Sequence, residues 1–300
     1  MYFRCFLLNI KYSKIPKPNI FNNLRIMLKN YAKQTNDPIQ MLWIGKALSR
    51  IEYLCMQSFL SNGHPVHLYA YEKIDNVPQD VTFCDANQIL PQHTIFKHMG
   101  SYAAFADLFR WKLMVEKGGW YCDTDVICLR PFEFNQEIVL GWQDKNECTP
   151  TIMKFPTNHP LAKELLNAAK YPSMPKPYDS LRVKTLRLIN RLFTQQQNAL
   201  GWGETAGPSG LTRAYFYLLK QGKIDFQPIS PNYFYPIAWQ NWQDLITANK
   251  INLEQLPSES CAIHLWNEMW RRGNIDKNKP LDPNCLVEKL FKLYCPNYPA

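Results

Sequence analysis

The stretch between residues 101 and 131 does most to limit the fold. Ser101–Lys117 has the apolar spacing of a helix, Ser101 is placed to cap it, and Gly118-Gly119 stops it. Trp120–Leu129 then reads as a strand interrupted by two aspartates, Asp123 and Asp125. A helix passing through a glycine turn into an apolar strand is a unit of an α/β sheet. The pattern extends upstream: Ile39–Ile44 reads as a buried strand, Gly45 as a turn, Ser49–Leu60 as a helix closed by Asn62-Gly63, and Val66–Ala70 as a second strand. That is how a parallel nucleotide-binding sheet opens. Downstream, Ile138–Trp142 and the apolar run around Ile152–Phe155 read as strands. Helices are expected at Leu161–Ala169, Leu181–Phe193 and Leu211–Lys220, a short strand at Cys261–Trp266, and a last helix at Leu286–Leu293.

The 300 residues, 46% of them hydrophobic, suffice for one large α/β domain or two ordinary ones. No apolar run reaches the roughly 18 residues a membrane-spanning helix needs. Cys5–Ile10 is too short to read as a secretory signal. The net charge of +9 is unevenly placed: residues 1–36 hold seven cations and no acid, and residues 160–220 hold nine cations against Glu164, Asp179 and Glu204. The rest of the chain is slightly acidic. Such clustering does not suit a nucleic-acid groove. The arm, 1–37, contains a basic amphipathic helix between Pro18 and Lys33 that could lie on an anionic membrane or pack on its own domain. Nine cysteines with no Cys-x-x-Cys pair read as free thiols. The expected location is cytoplasmic, peripheral on the inner face of a bacterial membrane.

The chemistry centres on Asp123 and Asp125. On an extended chain Tyr121, Asp123 and Asp125 would point together, with Cys122, Thr124 and Val126 turned into the sheet. Two adjacent carboxylates repel each other, and a magnesium or manganese ion removes the conflict. An Asp-x-Asp also occurs on ordinary solvated loops, but the end of a buried strand is where α/β sheets bind ligands. Asp107 and Arg110 share a face of the preceding helix, either as a structural ion pair or as contacts to hydroxyl and phosphate oxygens. His264 and Trp266 share a face of the short late strand.

Ala106-Asp-Leu-Phe-Arg110, Glu116-Lys-Gly-Gly-Trp-Tyr-Cys-Asp-Thr-Asp125 and Leu129-Arg-Pro131 together resemble the signature of DXD-type retaining glycosyltransferases: the Och-like, α-1,4-galactosyltransferase and toxin-glucosyltransferase group (glycosyltransferase family 32). The sixteen-residue spacing from Asp107 to Asp123 agrees with that pattern. Trp43-Ile-Gly45, Thr205-Ala-Gly-Pro-Ser-Gly-Leu-Thr212 and His264-Leu-Trp266 extend the likeness over most of the chain. The resemblance implies a GT-A fold, a Rossmann-like nucleotide-sugar-binding sheet flanked by helices, over residues 38–300, with a helical acceptor-side region at about 160–220. It also implies a Mn2+ or Mg2+ site at Asp123, Asp125 and His264. Donor contacts are implied at Trp43, Asp107, Arg110, Tyr121, Asp123 and Trp266, with Asp107, Arg110, Asp123 and Asp125 as the catalytic set. Glu204, Gly207 and Pro208 are candidates for the acceptor or anomeric side.

The implied activity is transfer of a sugar from a UDP-linked donor to a glycan or glycolipid, with retention of configuration, in capsule or lipopolysaccharide synthesis. Two other readings compete. Asp123-Thr-Asp-Val126 also begins the nucleophile motif of haloacid-dehalogenase-like phosphatases, but Ile127 stands where Thr or Val is usual and no downstream acidic pair follows. A non-catalytic carbohydrate-binding protein would also suit an aromatic content of 14%.

Overall fold

The computed structural model describes residues 36–193 and 203–298; the basic helix expected at Pro18–Lys33 lies outside them. Its centre is a six-stranded sheet built from β1 (Ile39–Leu42), β2 (Val66–Ala70), β3 (Val81–Asp85), β4 (Gly119–Cys122), β6 (Val139–Trp142) and β7 (Cys148–Phe155), in the order β3-β2-β1-β4-β7-β6. The first four strands run parallel, and β7 and β6 close the sheet antiparallel. All four residues of β1 are buried, as expected of a strand with parallel neighbours on both sides. The order reverses between β1 and β4. The carboxyl ends of these two strands border a crevice.

Helices cover both faces. α1 (Arg50–Ser61) is held at its start by a capping box between Ser49 and Glu52. It packs with α7 (Leu286–Tyr294) on the face that receives Trp120 and Cys122. α2 (Ala103–Glu116), α3 (Pro160–Lys170) and α5 (Pro208–Lys220) cover the other face, where Tyr121 and Met153 point. α2 starts two residues later than expected: Tyr102 is its N-cap and supplies no side-chain cap, while the Ser101 hydroxyl outside the helix accepts from the Ala103 N–H at 3.2 Å. α4 (Leu181–Phe193) lies between α3 and α5 in sequence, so the helical region falls where it was expected.

Trp120–Leu129 is not one strand. β4 ends at Cys122, the chain turns through Thr124 and Asp125, and β5 (Val126–Cys128) pairs antiparallel with β8 (Ala262–His264) in a separate two-stranded sheet. The strict alternation expected of Asp123, Thr124 and Asp125 therefore does not apply. β3 and the short α6 (Asn267–Arg272) were not anticipated. Only the first residue of β3 is buried, so this edge strand lacks an apolar pattern. The eight described cysteines are free thiols.

Candidate active site

The carboxyl ends of β1 and β4 open into a cavity of about 560 Å³. Trp43, Asp107, Arg110, Tyr121, Asp123, Asp125, Pro208, His264 and Trp266 all line it, so nine expected positions from five separate segments meet in one place. Thr124 lines it too, turned outward by the bend after β4.

Two clusters face each other there. In the first, Arg110 sits within α2 and donates from one guanidinium nitrogen to Asp123 Oδ2 at 3.1 Å and to the Pro150 carbonyl at 3.0 Å. Its Nε lies 3.5 Å from Asp107 Oδ1. The Tyr121 hydroxyl donates to the other Asp123 oxygen at 2.9 Å, and the Asp123 N–H bonds Thr151 of β7. Both Asp123 oxygens are thus engaged. Burial pushes the Asp107 carboxyl up to about 6, with Arg110 opposing the rise and Asp123 adding to it. Burial also raises Asp123, again against the pull of Arg110.

In the second cluster Asp125 Oδ2 meets His264 Nε2 at 3.1 Å and accepts the Asn267 backbone N–H at 2.9 Å. Burial alone would raise this carboxyl. The adjacent imidazole and the Asn267 N–H outweigh it and hold Asp125 down at about 2. Trp266 makes this possible through its backbone: its φ of 59° is a left-handed conformation that a bulky residue rarely adopts, and it aims the next N–H at Asp125. The Trp266 ring lies against His264 at a tilt of 50° with centroids 4.1 Å apart, and its indole N–H donates to the Ile237 carbonyl. The Leu265 N–H bonds the Asp125 carbonyl, tying β8 to the Asp-x-Asp turn.

The expected three-residue metal set is not assembled: among the described residues no three His, Cys, Asp or Glu side chains converge as a ready cage. Arg110 and Tyr121 hold Asp123 on one side, while Asp125 and His264 stand together on the other. The Asp125 carboxylate suits a magnesium- or manganese-type ion, and the His264 imidazole beside it favours the transition ion of the two. The buried His264 Nδ1 has no partner to fix the ring's tautomer.

Glu204 does not line the cavity. Its carboxylate accepts from Arg213 of α5 at 2.8 Å and is not part of the cavity lining. Gly207 stands just behind the cavity wall. A Cβ there would come within 2.7 Å of Gly203 Cα and 3.3 Å of Asp107 Oδ2, so the Gly-Pro segment lies against the Asp107 carboxylate. The Trp111 indole fastens that segment to α2 through the Ala206 carbonyl at 2.7 Å. Gln143 and Glu147 also line the cavity, joined at 2.7 Å, with Ser209 donating to Glu147 at 2.5 Å. Sequence reasoning missed them because β6–β7 pairing brings them to the site and no motif marks them.

Residues 53–149 match the family described as "Glycosyltransferase sugar-binding region containing DXD motif", and residues 188–300 match the "Alpha 1,4-glycosyltransferase conserved region". Rat lactosylceramide 4-alpha-galactosyltransferase is 26% identical over 199 residues, 64% of this chain and 47% of that protein. Human alpha-1,4-N-acetylglucosaminyltransferase is 27% identical over 202 residues, 64% of this chain and 49% of that protein. The chain thus spans about half the length of these curated relatives. The solved PaToxG glycosyltransferase superposes with a TM-score of 0.42 at 15% identity, covering 67% of this chain and 76% of that one.

Proposed function

We propose that this chain, which carries the DXD sugar-binding region and the α-1,4-glycosyltransferase conserved region in tandem, moves a sugar from a UDP-linked donor to a hydroxyl of a glycan or glycolipid. The observation carrying the reading is that one cavity at the sheet's switch point joins a guanidinium-centred cluster at Asp107, Arg110 and Asp123 to a second cluster at Asp125 and His264. Each Asp123 oxygen accepts one hydrogen bond, from Arg110 or from the Tyr121 hydroxyl, which fixes the carboxylate beside Arg110.

Trp43, at the carboxyl end of β1, offers an aromatic wall to a nucleotide base, and its buried indole N–H has no protein partner. Arg110 stays charged among carboxylates and supplies hydrogen-bond donors for hydroxyl or phosphate oxygens. Asp107, holding its proton to about pH 6, can accept or donate to sugar hydroxyls and so fix the donor ring against the Gly-Pro segment. A divalent cation would be held by Asp125 and His264, and when bound it supplies Lewis-acid neutralisation of charge on the departing diphosphate. Retention of configuration is part of the same proposal.

The names of the relatives specify transfer of galactose and of N-acetylglucosamine, which puts UDP-galactose and UDP-N-acetylglucosamine first among candidate donors. The test is a screen of sugar nucleotides for hydrolysis with and without manganese. Cation-dependent release of UDP from at least one sugar nucleotide is expected. Phosphate release from a generic ester with no sugar-nucleotide turnover would overturn the reading in favour of a phosphatase.

A further inference from the structure

Helix α4 is inside out. Its one fully buried described side chain is a cation, Arg187, which bonds Asp179 at 2.7 Å with both side chains shut off from solvent. Arg187 also bonds the Pro172 carbonyl, fastening the loop ahead of α4 beneath it. The large apolar side chains point outward instead: Leu181 is 84% exposed, Leu192 75%, and Leu188 and Ile189 each 46%. At 100° per residue these four fall within about 100° of arc, a stripe that also holds Thr185, whose hydroxyl bonds back to the Leu181 carbonyl; Leu186, 41% exposed, lies outside it beyond Arg182. Arg182 borders it on one side and Lys184 and Arg191 on the other. The same loop leaves Tyr171 and Met174 about half exposed.

Charge decides what covers the stripe. The thirteen residues of α4 hold four cations and no acid. A second copy of the helix would bring like charge against like charge. The basic segment 1–36, with seven cations and no acid, is unsuited for the same reason. An apolar stripe rimmed by cations matches the interface of a bilayer bearing negative headgroups, with the leucines at the acyl boundary and the arginines at the phosphates.

We propose that α4 seats this protein on an anionic lipid bilayer, through Leu181, Leu188, Ile189 and Leu192 and the flanking Arg182, Lys184 and Arg191. Arg187 takes no part; it is the internal peg that fixes the helix with its apolar face outward. The inference does not depend on the transfer reaction, because lipid binding is measured without a donor.

The test is flotation of the full chain with phosphatidylcholine vesicles, with and without phosphatidylglycerol. The chain is compared with a Leu181→Ser, Leu188→Ser, Leu192→Ser variant and with Arg182→Gln, Arg191→Gln. All five positions are exposed, so both variants should melt at the wild-type temperature. The wild type is expected to float only with the anionic vesicles. The serine variant should lose at least about tenfold in partitioning, and the glutamine variant roughly fivefold per cation removed. The proposal is overturned if the wild type ignores anionic vesicles, if the serine variant floats undiminished, or if the serine substitutions only convert a dimer to a monomer.

Discussion

Asp107 is a carboxylate among charges of both signs, close to Arg110 and within the field of Asp123. Burial raises its pKa from 3.8 to about 6, so the folded protein keeps a proton that the unfolded chain has already released over that range. The stability this proton confers is present near pH 4 and is lost as the pH rises through 6. An Asp107→Asn variant lacks the dependence. Urea unfolding across this range should show the wild type losing up to about 3 kcal/mol relative to the variant between pH 4 and 7. Parallel curves would contradict the burial argument. At this scale most of the site was legible: Asp107, Arg110, Asp123, Asp125 and His264 each belong to a spaced motif. Glu204 was misplaced because its neighbourhood in sequence says nothing of Arg213 nine residues on. Gln143 and Glu147 were invisible because strand pairing alone delivers them.

The elements that set the site depend on where α2 stops. Gly118 and Gly119 have φ of 63° and 79°, and together they swing the chain from α2 into β4 so that the Asp-x-Asp follows at that strand's carboxyl end. They are not equivalent. A Cβ on Gly118 would meet the Thr157 nitrogen at 2.8 Å and the Phe155 carbonyl at 2.9 Å, both backbone atoms. One on Gly119 would reach only the Gln40 side chain, at 3.4 Å. Gly118→Ala is expected to cost more than about 3 kcal/mol and Gly119→Ala about 1–2 kcal/mol, measured by denaturant unfolding. Equal losses would contradict the account of the turn. The two glycines, the strands at 39–44 and 66–70 and the helix at 181–193 could be read from local pattern. The break between β4 and β5 could not, because Val126–Cys128 is apolar enough to continue a strand. Its departure to pair with β8 depends on a segment more than 130 residues away.

Over the whole molecule, the charge distribution expected from sequence survives in part. Of the nine cations at 160–220, Lys176 and Arg187 are buried and Arg213 is engaged by Glu204. The other six are exposed or half-buried, and three of them, Arg182, Lys184 and Arg191, flank the outward leucines of α4. The cavity lies where the two matched regions meet: β4 and the Asp-x-Asp belong to residues 53–149, and β8, His264 and Asn267 belong to residues 188–300. Asp125 is the joint, since its side chain takes bonds from His264 and Asn267 and its carbonyl takes one from Leu265. The most direct test of the central claim is therefore manganese-dependent UDP release from the best sugar nucleotide, compared between wild type and Asp125→Asn at matched melting temperature. A fall of at least about a thousandfold in the variant is the result expected of a lost transition-state contact. Turnover within a few-fold of wild type would contradict the assignment of this cavity as the place where the donor reacts.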